Sequence, residues 1–234
     1  RIGRNLFRVL RAHPEFEIAA FADAANPEAL AYLLEFDTLL GRFPGKIELD
    51  GAVLRVDGIA IPLVANDDPS TIPWRDWGVD TVIEATPRAQ TRLELEACLA
   101  NGAGRVLLCS PPLDPPDATI VLGLNDDAIR REQRIISNGS ATAHAVGPVL
   151  KVLLQEFGVR RAFLTTIHAY TDQQRLADVP EDDYRRGRAA AENLIPQPTN
   201  AAELLIDLLP GLRGRLTAAT ITAPVANGSG ADLV

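Results

Sequence analysis

The apolar and polar positions of the first 139 residues alternate between helical and strand-like spacing. The segments with helical periodicity are 1–10, 27–36 and 90–100. Apolar segments typical of buried strands lie at 17–22, 79–84, 105–108, 119–122 and from 135 to 136. Strand–helix–strand units of this length predict an α/β domain built on a doubly wound parallel sheet with helices on both faces.

A different pattern occupies residues 46–64. Asp50-Gly51 and Asp57-Gly58 divide this apolar segment into three short pieces. Such dipeptides favour the positive φ angles of tight hairpin turns, so the segment is predicted to be a small antiparallel meander.

The pattern changes again after Ser137-Asn138-Gly139-Ser140, a run of capping residues. The apolar pattern that follows predicts a helix that contains Pro148 and ends at about Phe157. A strand that ends near His168 comes next. A polar loop over 171–188, two helices, and strands at 216–224 and 229–234 follow. We expect a domain boundary near Gly139, with one domain over 1–139 and an α+β domain over 140–234.

The net charge and the apolar runs indicate which classes of partner are not expected for this chain. The net charge is −8, which argues against nucleic acid or an anionic membrane as the default partner, since either needs a basic face. Arg185, Arg186 and Arg188 could form a local basic patch, but the solvated start of a helix is the favoured interpretation. No apolar run reaches the ~18 residues of a membrane span, and no signal peptide is recognisable.

The two cysteines, Cys98 and Cys109, lie in a helical pattern and at the end of an apolar run. This placement predicts no disulfide and fits a reducing, cytoplasmic location. The chain begins with arginine, contains no methionine and ends in an apolar stretch, so we expect it to be an internal piece of a longer protein.

A weak dinucleotide signal is present near the beginning of the chain. A dinucleotide site needs glycines where the first strand turns into the first helix, and an acidic residue about 20 residues later to bind the ribose. Gly3 and Asp23 have this spacing. Taken alone, these two residues favour a structural interpretation, a helix-packing glycine and a turn aspartate.

A family resemblance favours a dinucleotide site over the structural interpretation. Arg1-Ile2-Gly3-Arg4 resembles the end of the Gly-Phe-Gly-Arg-Ile-Gly-Arg motif of glyceraldehyde-3-phosphate dehydrogenases. Three further segments resemble motifs of the same family in the same order, and they are 33–43, 165–171 and 185–196. The resemblance implies a Rossmann-type doubly wound domain followed by an incomplete α+β catalytic domain.

The resemblance also implies that NAD is the cofactor. The positions that match the family's cofactor site are Arg1, Ile2, Gly3, Asp23, Thr86 and Cys109. Asp23 is expected to favour NAD over NADP, because a carboxylate repels a 2′-phosphate. Pro87 stands where the family has glycine, and it removes an N–H and fixes φ, so cofactor binding could be altered.

The family's catalytic pattern, Ser-Asn-Ala-Ser-Cys-Thr-Thr-Asn-Cys, is matched here by Ser137 to Ala145. The nucleophilic cysteine is replaced by Ala141, while His168 matches the family's base. Ser140 could substitute as a nucleophile, but helix capping is its expected role. Cys109 is expected to be a buried residue near the cofactor rather than a relocated nucleophile, and His168 could be catalytic or merely structural.

The same comparison with the family predicts altered phosphate binding. Ser140, Thr171 and Thr199 match positions that bind substrate or inorganic phosphate. Thr222 replaces an arginine that grips the substrate phosphate, and Asn200 replaces a glycine.

The resemblance therefore implies a homotetrameric, NAD-binding relative of enzymes that oxidise a phosphorylated aldehyde, and the residue at position 141 predicts that it is inactive in that reaction. The alternatives are a regulatory or assembly subunit, a dehydrogenase for a substrate that lacks phosphate, and a decayed relative without a ligand.

Overall fold

The computed structural model describes residues 1–66 and 68–234. Five α-helices are present in this part of the chain: α1 (Ile2–Leu10), α2 (Pro27–Glu35), α3 (Arg92–Ala100), α4 (Ala141–Glu156) and α5 (Ala201–Leu208). The strands of its first part are β1 (Phe21–Ala22), β2 (Phe36–Asp37), β3 (Gly41–Arg42), β4 (Ile47–Asp50), β5 (Val53–Val56), β6 (Ile59–Val64), β7 (Thr81–Glu84), β8 (Arg105–Leu108), β9 (Ala118–Thr119) and β10 (Ile135–Ser137). The later strands are β11 (Ala162–Ala169), β12 (Ile195–Gln197), β13 (Leu216–Ala223) and β14 (Ser229–Leu233).

The chain divides into two compact units. The first unit contains Arg1–Thr119 and Arg130–Asn138, and the second contains Ile120–Ile129 and Gly139–Val234. A short segment of the predicted first domain, 120–129, is therefore part of the second unit.

The first unit contains the predicted meander. Its sheet has the order β1-β6-β5-β4, in which β1 pairs with β6 in parallel and the other pairs are antiparallel. Asp57 and Gly58 form the two-residue turn between β5 and β6 with φ angles of 49° and 86°. Both central residues have positive φ, as a type I′ turn requires, and the meander is confirmed.

The second sheet of this unit has the order β7-β8-β10-β9, and all its strands are parallel. Helix α3 begins with a capping box, in which Thr91 and Glu94 bond each other's backbone N–H groups. Its buried residues Leu95 and Cys98 pack in a core with Val106 and Leu108 of β8. The parallel α/β pattern expected from the sequence is confirmed.

The second unit is built on a mixed sheet with the order β12-β13-β11-β14. Leu150 of α4 and Leu205 of α5 are fully buried in a core with Leu164 of β11 and Leu216 of β13. At Gly147 of α4, an added Cβ would lie 3.0 Å from a methyl of Leu124. The helix therefore packs closely at this glycine.

Two predicted strands are shorter than their apolar patterns suggested. Residues 17–20 form no strand, since β1 pairs with β6 only through Phe21 and Ala22. Ile18 packs against the core around Phe7 instead. Residues 120–122 form no strand and lead into a turn at 122–125, and the completely buried Val121 bonds Asn125 through both its N–H and its C=O.

The region after the polar loop also differs from the prediction. The expected solvated helix start at 185–188 is wrong, because these residues lie in turns. Arg185 forms an ion pair with Asp183, and a backbone bond from Val179 to Gly187 closes the loop. Of the two predicted helices, the second is α5, whereas the first is wrong because residues 189–194 form turns and irregular structure, and the pattern did not predict β12.

Candidate functional site

The N-terminus of α4 contains the position predicted for the nucleophile. Gly139, with φ of 62°, turns the chain, and Ser140 caps the helix by accepting a hydrogen bond from the Ala143 N–H at 3.1 Å. Ala141 is the first helical residue, and it is exposed. The capping role expected for Ser140 is confirmed.

Helix α4 and strand β11 are consecutive elements of similar length. The helix has 16 residues and spans about 24 Å, and the strand has 8 residues and spans about 26 Å. The short connection 157–161 makes them antiparallel neighbours, with Leu150 and Leu164 in one core. We therefore expect the start of α4 to lie towards the end of β11 that contains His168.

Hydroxyl groups surround His168. Its Nε2 lies 3.1 Å from Thr166 Oγ1, and its Nδ1 lies 3.4 Å from Ser229 Oγ. Thr166 Oγ1 lies in turn 2.7 Å from Thr220 Oγ1. The imidazole is thus oriented through both ring nitrogens by neutral oxygen groups, and it is half-buried.

Strand register explains this cluster. His168 is opposite Thr222 of β13 and Ser229 of β14, and Thr166 is opposite Thr220. Directly opposite residues share one face of a sheet. The same face is apolar at the beginning of β11, where Leu164 packs against the helices, and becomes polar towards its end.

Thr222 is 3% exposed and is opposite Ile195 on its other side. Its hydroxyl is a neutral polar group at the position where the family has a positively charged arginine. Nearby, Gln197 is opposite Thr220, and its Nε2 is buried without a hydrogen-bond partner in the described chain. This end of the sheet is rich in neutral hydrogen-bonding groups.

The other two predicted phosphate residues make local contacts. Thr199 Oγ1 accepts the Ala201 N–H at 3.1 Å at the start of α5. Asn200 has φ of −107°, a conformation open to any residue, so the backbone here does not need glycine. Thr171 is exposed, and its N–H and hydroxyl both donate to Gln174 Oε1.

The predicted cofactor residues lie in the first unit. Arg1 is the N-cap of α1, and Ile2 and Gly3 belong to its first turn, which contains no acidic residue. Free N–H groups and the helix dipole make such a terminus suitable for phosphate. At Gly3, an added Cβ would be 3.7 Å from Ala85, an ordinary contact. Asp23 follows β1, and its Oδ1 accepts the Ala25 N–H at 2.8 Å.

The loop after β7 contains unsatisfied polar atoms. The Thr86 N–H donates to Glu84 Oε1 at 2.7 Å, but its hydroxyl oxygen is buried without a partner in the described part of the protein. Gln90 is 1% exposed, and neither polar atom of its amide has a partner there. Pro87, between them, is exposed. Buried polar atoms without partners are costly in a native structure and are typical of sites that receive a ligand or water.

Neither cysteine resembles an activated thiol. Burial, with Glu84 nearby, raises the pKa of Cys109 above its ordinary value. Burial raises the pKa of Cys98 to about 12. Both are free, as predicted. Since a nucleophilic thiol needs a lowered pKa, Cys109 is not suited to replace the residue missing at position 141.

The structure adds residues that sequence patterns did not single out. Thr166, Thr220 and Ser229 contact His168 directly or through one another, and their signal in the sequence is only the alternation of threonine with other residues in two strands. Gln90 and Gln197 had no signal. Among residues 1–66 and 68–234, no cluster of His, Cys, Asp and Glu suits a metal ion, and no helix has the length and apolar character to cross a membrane.

Comparisons with known proteins agree along the chain. The NAD binding domain of glyceraldehyde 3-phosphate dehydrogenase matches residues 1–92, and the C-terminal domain of the same enzyme family matches residues 140–234. The glyceraldehyde-3-phosphate dehydrogenase of Streptomyces coelicolor is 42% identical over all of this chain and 70% of its own length. Glyceraldehyde-3-phosphate dehydrogenase 1 of Bacillus subtilis and the Geobacillus stearothermophilus enzyme are each 40% identical with the same coverage.

Proposed function

Because this chain belongs to the glyceraldehyde-3-phosphate dehydrogenase family, we propose that it is an NAD-binding member that does not oxidise aldehydes through a thioester. The observation that carries the proposal is Ala141 at the N-terminus of α4. Thioester chemistry requires a sulfur lone pair to attack the carbonyl carbon, and a methyl group has none.

The first unit contains the family's NAD-binding domain, and its residues fit the cofactor. The start of α1 would hold the phosphates, Asp23 would bind the ribose through the oxygen not used by Ala25, and the buried Thr86 hydroxyl would gain a partner. When bound, NAD supplies a hydride acceptor. Asp23 would disfavour NADP by repulsion of the 2′-phosphate.

The second unit is poorly suited to a phosphorylated substrate. Thr222 cannot provide the bidentate, charge-assisted contact of a guanidinium. The Thr171 hydroxyl donates its proton to Gln174, whereas Ser140 and Thr199 only accept backbone N–H groups and keep their O–H donors. The neutral Thr222 and the engaged Thr171 hydroxyl support a loss of affinity for the triose phosphate on which the relatives are named to act.

A second candidate follows from His168 and its hydroxyl neighbours. The imidazole remains oriented by Thr166 and Ser229, and Thr222 next to it is neutral. These neutral surroundings would suit a dehydrogenase for an uncharged alcohol, in which His168 would take the hydroxyl proton. A regulatory subunit would need no such oriented imidazole.

We also propose a homotetramer in the cytoplasm, as the resemblance implies. The loop 171–188 matches the segment that packs across a subunit interface in the family. Leu176 and Tyr184 in this loop are 73% and 87% exposed, which supports an interface there.

The proposal is tested by calorimetry with NAD and by NADH formation from glyceraldehyde 3-phosphate with inorganic phosphate. We expect NAD to bind and no NADH to form. Turnover at the rate of the relatives would refute the proposal, and the absence of NAD binding at millimolar concentration would favour a decayed relative. NADH formation from an uncharged alcohol would select the second candidate.

Two variants separate the loss of the nucleophile from the loss of the phosphate-binding cation. They are Ala141→Cys and Ala141→Cys/Thr222→Arg. Ala145→Cys, an exposed position one turn further along α4, is the matched control. The thiol at 141 should react faster at pH 7 than the thiol at 145, because a helix N-terminus lowers a thiol pKa. Ala141→Cys alone should restore little turnover, and near-normal turnover would show that Thr222 does not limit phosphate binding.

A further inference from the structure

Four exposed arginines lie at one edge of the second unit's sheet. Arg160 and Arg161 precede β11, and Arg213 and Arg215 precede β13. None of the four forms an ion pair within residues 1–66 and 68–234, whereas arginines such as Arg92 pair with carboxylates. This concentration of positive charge occurs in a chain with a net charge of −8.

Parallel pairing places these guanidinium groups together. Ala162 is opposite Leu216, and the Ala162 N–H donates to the Arg215 carbonyl at 2.7 Å. Arg215 Nη1 donates to the Val159 carbonyl at 2.9 Å, which holds its side chain beside the start of β11. Like charges at neighbouring strand positions repel, so an anion bound between them would stabilise this edge.

A cleft is present at the same place. It has a volume of about 390 Å³ and is lined by Phe157, Gly158, Val159, Arg160 and Arg215. Gly158, with φ of 72°, makes the turn that separates α4 from β11. Phe157 is 80% exposed, an unusual state for a phenylalanine and one that leaves its ring available to a ligand. The volume lies within the range of small-molecule sites, and the cleft is widely open to solvent.

We propose that this cleft binds a nucleoside polyphosphate. Arg160 and Arg215 bind the phosphates, because a guanidinium presents paired N–H donors that match phosphate oxygens. Arg161 and Arg213 add positive potential beside them. Phe157 stacks on the base, an interaction that every base can make through its π face.

The site is separate from His168 and its hydroxyl neighbours. Arg161 and His168 are seven residues apart along one extended segment, which corresponds to about 23 Å. Glu156 is the acidic residue nearest in sequence, and it is exposed and forms no ion pair with these arginines in the described chain. It reduces the local charge without neutralising it. The proposed dinucleotide site is in the first unit, so saturation with NAD keeps that site occupied while other ligands are titrated.

Calorimetry with the NAD-saturated protein tests the proposal, and ATP, tripolyphosphate and adenosine are the titrants. We expect ATP to bind, tripolyphosphate to bind more weakly, and adenosine to bind weakest. Arg160→Gln/Arg215→Gln should weaken ATP binding roughly tenfold or more. Phe157→Leu should weaken the binding of ATP but not of tripolyphosphate. Circular dichroism checks that the variants fold, and Arg160→Gln/Arg161→Gln, which removes no hydrogen bond, is a second test.

Arg131→Gln is the matched control, because Arg131 is an exposed arginine of the first unit whose side chain makes no hydrogen bond or ion pair within the described residues. ATP binding that is unchanged in both double variants would overturn the proposal. Equal affinity for ATP and tripolyphosphate would overturn the role of Phe157 and leave a polyanion site. Tighter binding of a single-stranded oligonucleotide than of ATP, lost in the same variants, would overturn the assignment to a small ligand.

Discussion

Replacement of Ser140 with alanine distinguishes its capping role from a chemical one. The Ser140 hydroxyl accepts one hydrogen bond, from the Ala143 N–H at 3.1 Å, and its loss leaves that donor at the start of a 16-residue helix without a side-chain partner. N-cap replacement by alanine costs about 1 kcal/mol, within a range of roughly 0.5–2 kcal/mol. Because Ser140 is half-buried, water can partly replace the bond, and we expect a value near 1 kcal/mol rather than the upper limit.

Urea unfolding measured by circular dichroism gives this quantity. With a slope of about 2 kcal/mol/M, a loss of 1 kcal/mol lowers the midpoint by about 0.5 M. Ser140→Asp keeps an acceptor and adds a negative charge at a helix N-terminus, so it should unfold near the wild-type midpoint or above it. Thr142→Ala, in the same first turn, is the control, since its hydroxyl makes no hydrogen bond in the described chain and alanine is the better helix former.

The reasoning would be wrong if Ser140→Ala unfolded at the wild-type urea concentration. If that variant also lost an NADH-forming activity detected in the wild type, Ser140 would be a reacting group. Loss of stability without loss of any activity supports the capping role alone.

Two further predictions concern titrating groups. Glu94 has a pKa lowered to about 2, chiefly by the Thr91 N–H and then by the Thr91 hydroxyl and Arg88, so its stabilising contribution is complete above its ordinary pKa of 4.5 and is lost as the pH falls towards 2. Acid unfolding of Glu94→Ala should show less dependence on pH in that window, and an unchanged profile would contradict the capping box as its source. Cys98, with a pKa raised to about 12, should react with a disulfide reagent at pH 8 only after unfolding, and Cys109 should react more slowly than a free thiol. Rapid labelling of Cys109 in the native protein would restore it as a candidate nucleophile.

Residues close in sequence determine several local structures of this fold. Asp57-Gly58 favours a turn with two positive φ angles wherever it occurs, and the hairpin between β5 and β6 has that turn. Ser140 caps a helix because its side chain can bond a backbone N–H three residues ahead. These features depend on residues near in sequence, and a pattern can therefore predict them. The identity of residue 141, on which the proposed function depends, is likewise read directly from the sequence.

Contacts between distant residues could not be predicted in this way. Residues 17–20 are apolar enough for a strand, but a strand also needs a neighbouring backbone, and β6 pairs only with Phe21 and Ala22. The hydroxyl groups around His168 come from residues up to 61 positions away, and strand register determines which of them meet the imidazole. The arginine cluster likewise exists only because β11 and β13 lie side by side. Register and packing are properties of the whole chain, since each is fixed by the burial of a shared core rather than by the preference of any one segment.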